Sequence, residues 1–435
     1  MTEELWALAA NGMMGRVLWD RSRDRLAFRY DDDWRNNGAS FPLSLSMPLT
    51  AAEHGHKAVE PFLWGLLPDN DGVLKRWGER FQVSPRHPFQ LLSHVGEECA
   101  GAVQLLRPER AARLLKGSET GSVKWMKDDE IAERVDLLLK DHSVSRVGAD
   151  EGQFSLAGAQ PKTGFFFDPK RNRWGVPSGI IPTTHIFKPA TGHYDGYAEN
   201  EHFCIGLARS LGMPVASSAI HYFTGTAVIV VERYDRVRQG AKVMRIHQED
   251  MCQALARMPH LKYQNQGGPS AREIITLIRE HSSNRETDEA RFMDALIFNW
   301  LISGTDAHAK NYSFLIAPHG QVRLSPLYDL SSALPYPKQI PPRKATLGMK
   351  IGSQYKVQAI GKRDWEKFAT ESRIDFEALR TRILQRSEAM PGAADKVGAE
   401  MKSQGVMHDV VDRLIDALAD RALHCRAAIA KTAVR

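Results

Sequence analysis

At 435 residues, with 43% hydrophobic and 25% charged side chains, the chain is long enough for two or three hydrophobic cores and too apolar for large-scale disorder. Its 58 Lys and Arg against 52 Asp and Glu leave a net charge of +6, which permits contact with a polyanion without demanding it. Cys99, Cys204, Cys252 and Cys425 lie far apart with no C-x-x-C pair, so a disulfide or zinc framework is not expected and reduced, buried thiols are. The acidic start Met-Thr-Glu-Glu and the lack of a long apolar run predict a cytoplasmic protein with no membrane contact.

In chain order, Arg16 to Trp19 and Leu26 to Tyr30 flank a charged turn and predict a hairpin that opens a small α+β domain. Leu43 to Met47 alternates like a half-buried strand. Phe62 to Pro68 reads as a strand or turn passing into a helix over Asp69 to Phe81, Arg86 to Leu92 as a short helix, and Gly101 to Leu106 as a closing strand. From Arg107 to Gly152 charge and Ser dominate around one amphipathic helix near Glu130 to Leu139, so a linker is expected, with a boundary near residue 115.

Phe154 begins a second domain. In Ser155-Leu-Ala157-Gly158-Ala159-Gln-Pro-Lys162, small residues let backbone N–H groups approach an anion, and Phe165 to Phe167 follows as a strand. This is not a Walker A loop, because no Gly directly precedes Lys162; a plain hairpin loop fits the same residues. Trp174-Gly-Val and Thr183 to Lys188 extend an antiparallel sheet, with Lys188 beside that loop, where a phosphate-binding lysine or a solvated edge charge are both possible. Ala198 to Gly212 reads as a helix stopped by glycine, carrying Glu199 or Glu201 as a partner for Lys188. Ala227 to Val231 is a buried strand, and Glu232-Arg-Tyr234-Asp-Arg236 follows it as a hinge whose backbone would meet adenine.

From Gln248 onward the pattern turns helical: Gln248 to Met258, Ala271 to His281, then a helix with Asp288 and Glu289 in its first turn. Phe292, Met293, Leu296, Ile297, Trp300 and Leu301 form its apolar face, and Gly304 is expected to end it in a left-handed conformation. Tyr312 to Ile316, Ala317 to Gly320 and Val322 to Leu324 predict a hairpin that returns Asn311 and Asp329 to the same end. After a Pro-rich stretch from Pro335 to Pro342, helices are expected over Trp365 to Ser372, Phe376 to Glu388 and Val406 to Ala430.

The order Asp306, Asn311, Asp329 is that of a base, a metal-binding amide and a metal-binding carboxylate, and oxygen-only ligation of this kind suits Mg²⁺. Turn-capping by Asp306, an Asx-turn at Asn311 and a strand break at Asp329 account for the same residues taken singly. A hydrolase using Asp306, His308 and Asp329 is a weaker reading, since His308 lacks a second histidine at metal-ligand spacing.

Taken together the chain resembles the HipA family of bacterial serine/threonine kinases, toxins of HipA–HipB toxin–antitoxin pairs. The resemblance rests on Pro42-Leu-Ser-Leu-Ser-Met-Pro48, Gly65-Leu-Leu-Pro-Asp69, Gly101-Ala-Val, Ser155 to Lys162, Phe187-Lys188, Asn200-Glu201, Glu232 to Arg236, Gln248-Glu-Asp-Met-Cys-Gln253, Thr305 to Asn311, and Leu327-Tyr-Asp329-Leu. It implies an α+β, two-lobe, protein-kinase-like fold with a small N-terminal α+β subdomain (1–115), a sheet-rich N-lobe (116–240) and an all-helical C-lobe (241–435). It further implies Asp306 as catalytic base, Asn311 and Asp329 as Mg²⁺ ligands, and Lys188 on the ATP phosphates. The loop at Ala157, Gly158 and Ala159, with Glu232 and Tyr234, would serve nucleotide binding, and Ser155 would be autophosphorylated. The partners implied are a HipB-like helix-turn-helix antitoxin, operator DNA reached through it, and an aminoacyl-tRNA synthetase of glutamyl type as substrate. Pro161 stands where well-known members carry an acid, and Tyr234 where they carry Phe. A catalytically spent corepressor recruited to DNA is the alternative.

Overall fold

The computed structural model describes residues 2–9, 12–140, 155–190, 192, 194–223, 225–240 and 242–430. Phe154, and the part of the expected linker from 141 to 152, lie outside them. The chain forms two compact units with interleaved segments: Met1–Pro189, Tyr222–His260 and Ser313–Arg323 make the first, and Ala190–His221, Leu261–Tyr312 and Leu324–Arg435 the second.

The first unit opens with a five-stranded sheet in the order Glu53–Gly55, Arg25–Tyr30, Gly12–Asp20, Thr2–Ala9, Gln104–Leu106. The expected hairpin is there, and Thr2–Ala9 pairs along the whole length of Gly12–Asp20. Its acidic start is compatible with a strand because those side chains stay at the surface; Glu3 pairs with Arg21 at 2.9 Å.

Leu43 to Met47 is a tight turn rather than a strand, with the Met47 N–H donating to Ser44 O at 2.9 Å. Side chains satisfy its backbone where a neighbouring strand would otherwise be needed. The Tyr30 phenol donates to Met47 O at 2.6 Å and accepts from Leu43 N–H at 2.7 Å. The Glu249 carboxyl takes Leu45 N–H at 2.8 Å and Ser44 Oγ at 2.5 Å. Phe62 to Gly65 ends a helix, His56–Gly65, because Val59, Phe62 and Leu63 fall on one buried face; the helix Asp71–Phe81 follows.

The stretch after Arg107 is folded, not a linker. Its helix Pro108–Leu115 spends its charge in ion pairs, Arg110 with Glu97 at 2.6 Å and Arg113 with Glu119 at 3.0 Å. The strand Ser122–Trp125 pairs with Arg173–Ser178, and the helix Asp128–Lys140 packs Ile131, Ala132 and Val135 into a core with Phe165, Phe187 and Val228.

That core lies against a sheet whose successive neighbours are Thr226–Glu232, His185–Pro189, Thr163–Asp168, Arg173–Ser178 and Ser122–Trp125. A third sheet joins His247–Asp250, Ser313–Ala317 and Gln321–Leu324. Gln248 therefore starts no helix: it pairs with Leu315, and only Met251–Ala254 is helical, capped by Asp250.

The second unit is mainly helical and carries the strand pair Thr346–Ile351 and Gln354–Lys356; with Lys242–Arg245, His247–Asp250, Ser313–Ala317 and Gln321–Leu324 also lying after residue 241, the stretch expected as an all-helical lobe is not all helical. The helix begun at Phe376 runs to Ser403 through Pro391, since Met390, Ala394 and Val397 keep its buried face continuous across the missing N–H. All four cysteines are free and buried, and among the described residues no helix is long and apolar enough to cross a membrane.

A buried ion cluster joins four stretches of the first unit. The Glu98 carboxylate accepts from Arg233 at 3.1 Å, Arg236 at 3.0 Å and Arg245 at 2.6 Å, and from the Thr183 hydroxyl at 2.8 Å. Asp235 completes the balance, taking Arg233, Arg236 and the Gly101 N–H. Burial alone would raise the Glu98 pKa, but the charges of Arg245, Arg236 and Arg233 override it and hold the carboxyl well below its ordinary value. A depressed folded-state pKa stabilises above the unfolded value of about 4.3 and loses that contribution as pH falls toward the folded value. Glu98→Gln should leave buried guanidinium charge uncompensated, cost about 3–5 kcal/mol in urea denaturation at pH 7, and flatten the acid limb of the stability profile.

Candidate active site

The long helix Arg285–Leu301 buries Phe292, Leu296, Trp300 and Leu301 and so fixes where the following loop begins. Its end is turned by Ser303, at φ 54°, and not by Gly304. Gly304 is needed for space instead: a Cβ there would lie 2.3 Å from Asn299 Oδ1.

Residues 305–311 then fold tightly. His308 N–H donates to Asp306 O at 2.8 Å and Asn311 N–H to His308 O at 2.9 Å. The Asn311 side chain donates through Nδ2 to Asp306 O at 2.7 Å. A carbonyl can only accept, so this bond orients the amide and leaves Oδ1 as the end available to a cation.

Two neighbours brace the loop. On one side the backbone of Thr346–Ile351 approaches so closely that a Cβ on Gly348 would sit 2.8 Å from Ala307 O and 2.9 Å from His308 N. On the other, Ala309 N–H donates to Lys262 O at 3.2 Å, and Lys350 N–H donates to Gln264 Oε1 at 2.9 Å, tying the two braces together. The Asp306 carboxylate remains about half exposed; its Oδ1 accepts from the Tyr263 phenol and lies 3.8 Å from His308 Nε2.

Asp329 is held by what surrounds it in sequence. Leu327 exchanges main-chain bonds with Pro214 O at 2.9 Å and Ala216 N–H at 2.8 Å, and the Tyr328 phenol donates to Lys310 O at 2.7 Å. The Asn200 amide donates to Ser332 O at 2.8 Å and accepts from Ser332 N–H at 3.0 Å. Asp329 itself takes φ 56°, a conformation that Asp tolerates better than most residues.

The buried Tyr197 phenol reports on the local field. Burial pushes its pKa well up, and the charges of Asp329, Glu201 and Asp306 push it further. Three carboxylates thus act on one neighbourhood of the second unit. Asn311 and Asp329 supply the oxygen donors a hard divalent cation takes, so the residues fit Mg²⁺.

The remaining sequence-chosen residues lie in the first unit. Lys188 is buried on a strand paired on both sides, with Ile229 across from it and Phe187 opposite Thr163, which excludes the solvated-edge alternative. Gly158 takes φ 106° and bridges to Pro68, with Asp69 N–H donating to Gly158 O at 3.2 Å. Lys162 Nζ donates to Ala157 O at 2.7 Å, closing the loop on itself, and Ala159 is exposed. Ser155 is wholly buried, its N–H on Glu98 O at 2.8 Å and its hydroxyl on Leu66 O at 2.6 Å. Glu232 is exposed, and the Tyr234 phenol donates to Gln248. Glu199 and Glu201 are buried on the helix Tyr197–Ser210 in the second unit.

Profiles for the HipA N-terminal domain and the HipA-like C-terminal domain match residues 5–106 and 154–404. The chain belongs to the HipA family. It is 32% identical over 422 residues to protein Y4mE of Sinorhizobium fredii, covering 95% of this chain and 97% of that one. It is also 32% identical over 335 residues to the serine/threonine-protein kinase toxin HipA of Shewanella oneidensis, covering 74% and 73% of the two chains. The structure of the Shewanella oneidensis HipA, HipB and operator DNA complex superposes with a TM-score of 0.82 at 26% identity over 97% of both chains.

Tyr263, Asn200 and the Gly348 strand were not singled out for the site by sequence pattern; only Asn200 stood in a family word, with no role attached. In this HipA-family chain, Gly348→Ala should displace the 305–309 loop and lower stability by about 1–3 kcal/mol, readable as a fall in Tm.

Proposed function

We propose that this chain is a Mg·ATP-dependent serine/threonine protein kinase acting as the toxin of a HipA–HipB type pair. The observation that carries the proposal is the braced loop placing an exposed Asp306 carboxylate beside an oriented Asn311 amide, with Asp329 acting on the same buried phenol. Family membership supports the same roles.

Asp306 accepts the proton of the substrate hydroxyl as the hydroxyl oxygen bonds to the γ-phosphorus of ATP and the bond from that phosphorus to the β–γ bridging oxygen breaks, leaving ADP. Asn311 Oδ1 and the Asp329 carboxylate would hold Mg²⁺, which would neutralise charge on the phosphates, while ATP would supply the transferable phosphoryl group. Lys188 serves the α- and β-phosphates, the loop at Ala157, Gly158 and Ala159 covers the nucleotide with backbone N–H groups, and Glu232 and Tyr234 flank the base. The substrate class is an aminoacyl-tRNA synthetase, glutamyl by family resemblance, whose modification halts translation. A HipB-like antitoxin is the partner, and operator DNA is met through it; the Shewanella oneidensis complex, which holds HipB and operator DNA together with HipA, supports both.

Self-inactivation at Ser155 belongs to the same proposal. Its hydroxyl must leave the Leu66 carbonyl before any transfer. Once attached, a phosphate of about −1.5 to −2 charges cannot return against that carbonyl, which offers it no proton, so the loop is held out of its nucleotide-covering position. Homogeneous phospho-Ser155 protein should bind ATP at least tenfold more weakly than unmodified protein in calorimetry, and equal affinities would remove this part of the proposal.

The central test is transfer of label from γ-labelled ATP. Asp306→Asn should still bind ATP while transferring about 10²–10⁴ less phosphate, and Asp329→Asn should lose the Mg²⁺ dependence of ATP binding. Transfer at the parent rate from either variant rejects the assignment.

A further inference from the structure

Tyr263 holds the Asp306 carboxylate although sequence pattern gave it no role. Its phenol donates to Asp306 Oδ1, while its ring packs edge-on against His308, centroids 5.0 Å apart at 86°. The turn that carries it is tied down by its own backbone. The Tyr263 carbonyl accepts from Gln266 and Gly268 N–H, each at 3.0 Å, and Gly268 folds so close that a Cβ there would lie 1.9 Å from Leu261 O. The neighbouring residues Lys262 and Gln264 are the two that tie this turn to Ala309 and to Lys350. A phenol on so rigid a turn can stop a half-exposed carboxylate from rotating among its solvent-facing rotamers.

We propose that Tyr263 is a positioning residue for the phosphoryl transfer: by engaging Oδ1 it confines the Asp306 carboxylate to one rotamer, the one aimed at the substrate hydroxyl. This inference rests on the role of Asp306 as base. Tyr263 acts through Asp306, so its loss is felt through the geometry of that carboxylate and not through nucleotide affinity. A misplaced base costs rate because proton transfer demands hydrogen-bond distance at the moment of attack.

The alternative for a phenol at this place is occlusion, the tyrosine hydroxyl occupying the base as a substrate hydroxyl would. The two have opposite signs on removal, and Tyr263→Phe distinguishes them while keeping the ring against His308. Single-turnover transfer from γ-labelled ATP to the full chain should fall on the order of tenfold in rate with the half-saturating ATP concentration unchanged. Crystal structures of the nucleotide-free parent and Tyr263→Phe proteins should show Asp306 in one rotamer in the first and in several in the second. An unchanged or faster transfer, or an Asp306 side chain equally ordered in both, overturns the positioning role. Asp306→Asn run alongside separates the causes: if it transfers phosphate normally, the kinase reading and this inference fall together, and if it is inactive while Tyr263→Phe is normal, only the inference falls.

Discussion

The first unit depends on one carboxylate that water does not reach. Glu98 belongs to the end of the N-terminal subdomain, yet its oxygens are shared among Arg233, Arg236 and Arg245 and the Thr183 hydroxyl, while its own carbonyl takes the N–H of Ser155. Three arginines around one acid would be unstable in a low-dielectric interior without Asp235, whose carboxylate engages two of them. The consequence is geometric. The loop that begins at Ser155, the stretch leading into the strand that carries Lys188 and the segment after Glu232 are referred to a common point, the first through a main-chain bond to the Glu98 carbonyl and the others through charge-assisted bonds to its carboxylate.

That cluster changes the meaning of a sequence motif. Glu232-Arg-Tyr-Asp-Arg236 reads as a hinge following a buried strand over Ala227 to Val231, and the strand is there, over Thr226–Glu232. What composition could not show is which of these residues turn inward: Arg233, Asp235 and Arg236 join the buried cluster around Glu98, leaving Glu232 exposed and Tyr234 half-buried. Partners more than a hundred residues apart leave no local trace in the chain. The same holds for Gln248-Glu-Asp-Met-Cys-Gln253, whose helix-like apolar spacing hid a strand. Its Glu249 and Gln253 clasp the Leu43 to Met47 turn, with Ser46 Oγ donating to Gln253 O at 3.2 Å. Two motifs that read as separate words are the two halves of one contact.

Elements with strong local signals came through the sequence well. The helices at Ala271–His281 and Arg285–Leu301 have capping residues, Ser270 and Asn284, and continuous apolar faces. The hairpin after Tyr312 has its turn at His319 and Gly320, both left-handed. Legibility failed where the deciding interaction was distant. The strand Thr346–Ile351 is short and flanked by Pro-rich sequence, and its value lies in the absence of a side chain at Gly348, which lets two backbones meet. The helix expected to end at Glu388 runs on through Pro391, where tertiary burial of Met390 and Ala394 prevails over the local cost of the proline.

The candidate site shows a division of labour that follows from the cost of burying charge. The groups that orient are buried or hydrogen-bonded through neutral atoms: the Asn311 amide, the Asn200 amide on Ser332, the Tyr328 phenol on Lys310 O, and the backbone at Gly348. Neutral partners can be sealed from water at small cost once each donor meets an acceptor. The carboxylate that would exchange a proton is left half in solvent at Asp306, where water shares the cost of its charge. A loop fixed on two sides by neutral contacts, presenting one charged group at its tip, combines precision with solvation. A buried Asp306 would require a resident cation or a raised pKa, and a loose exposed one would lose its aim. Bracing by Thr346–Ile351 and by the Lys262 to Gln264 turn removes the second fault without incurring the first, and this is why residues outside the recognised motif matter as much to its geometry as those within it.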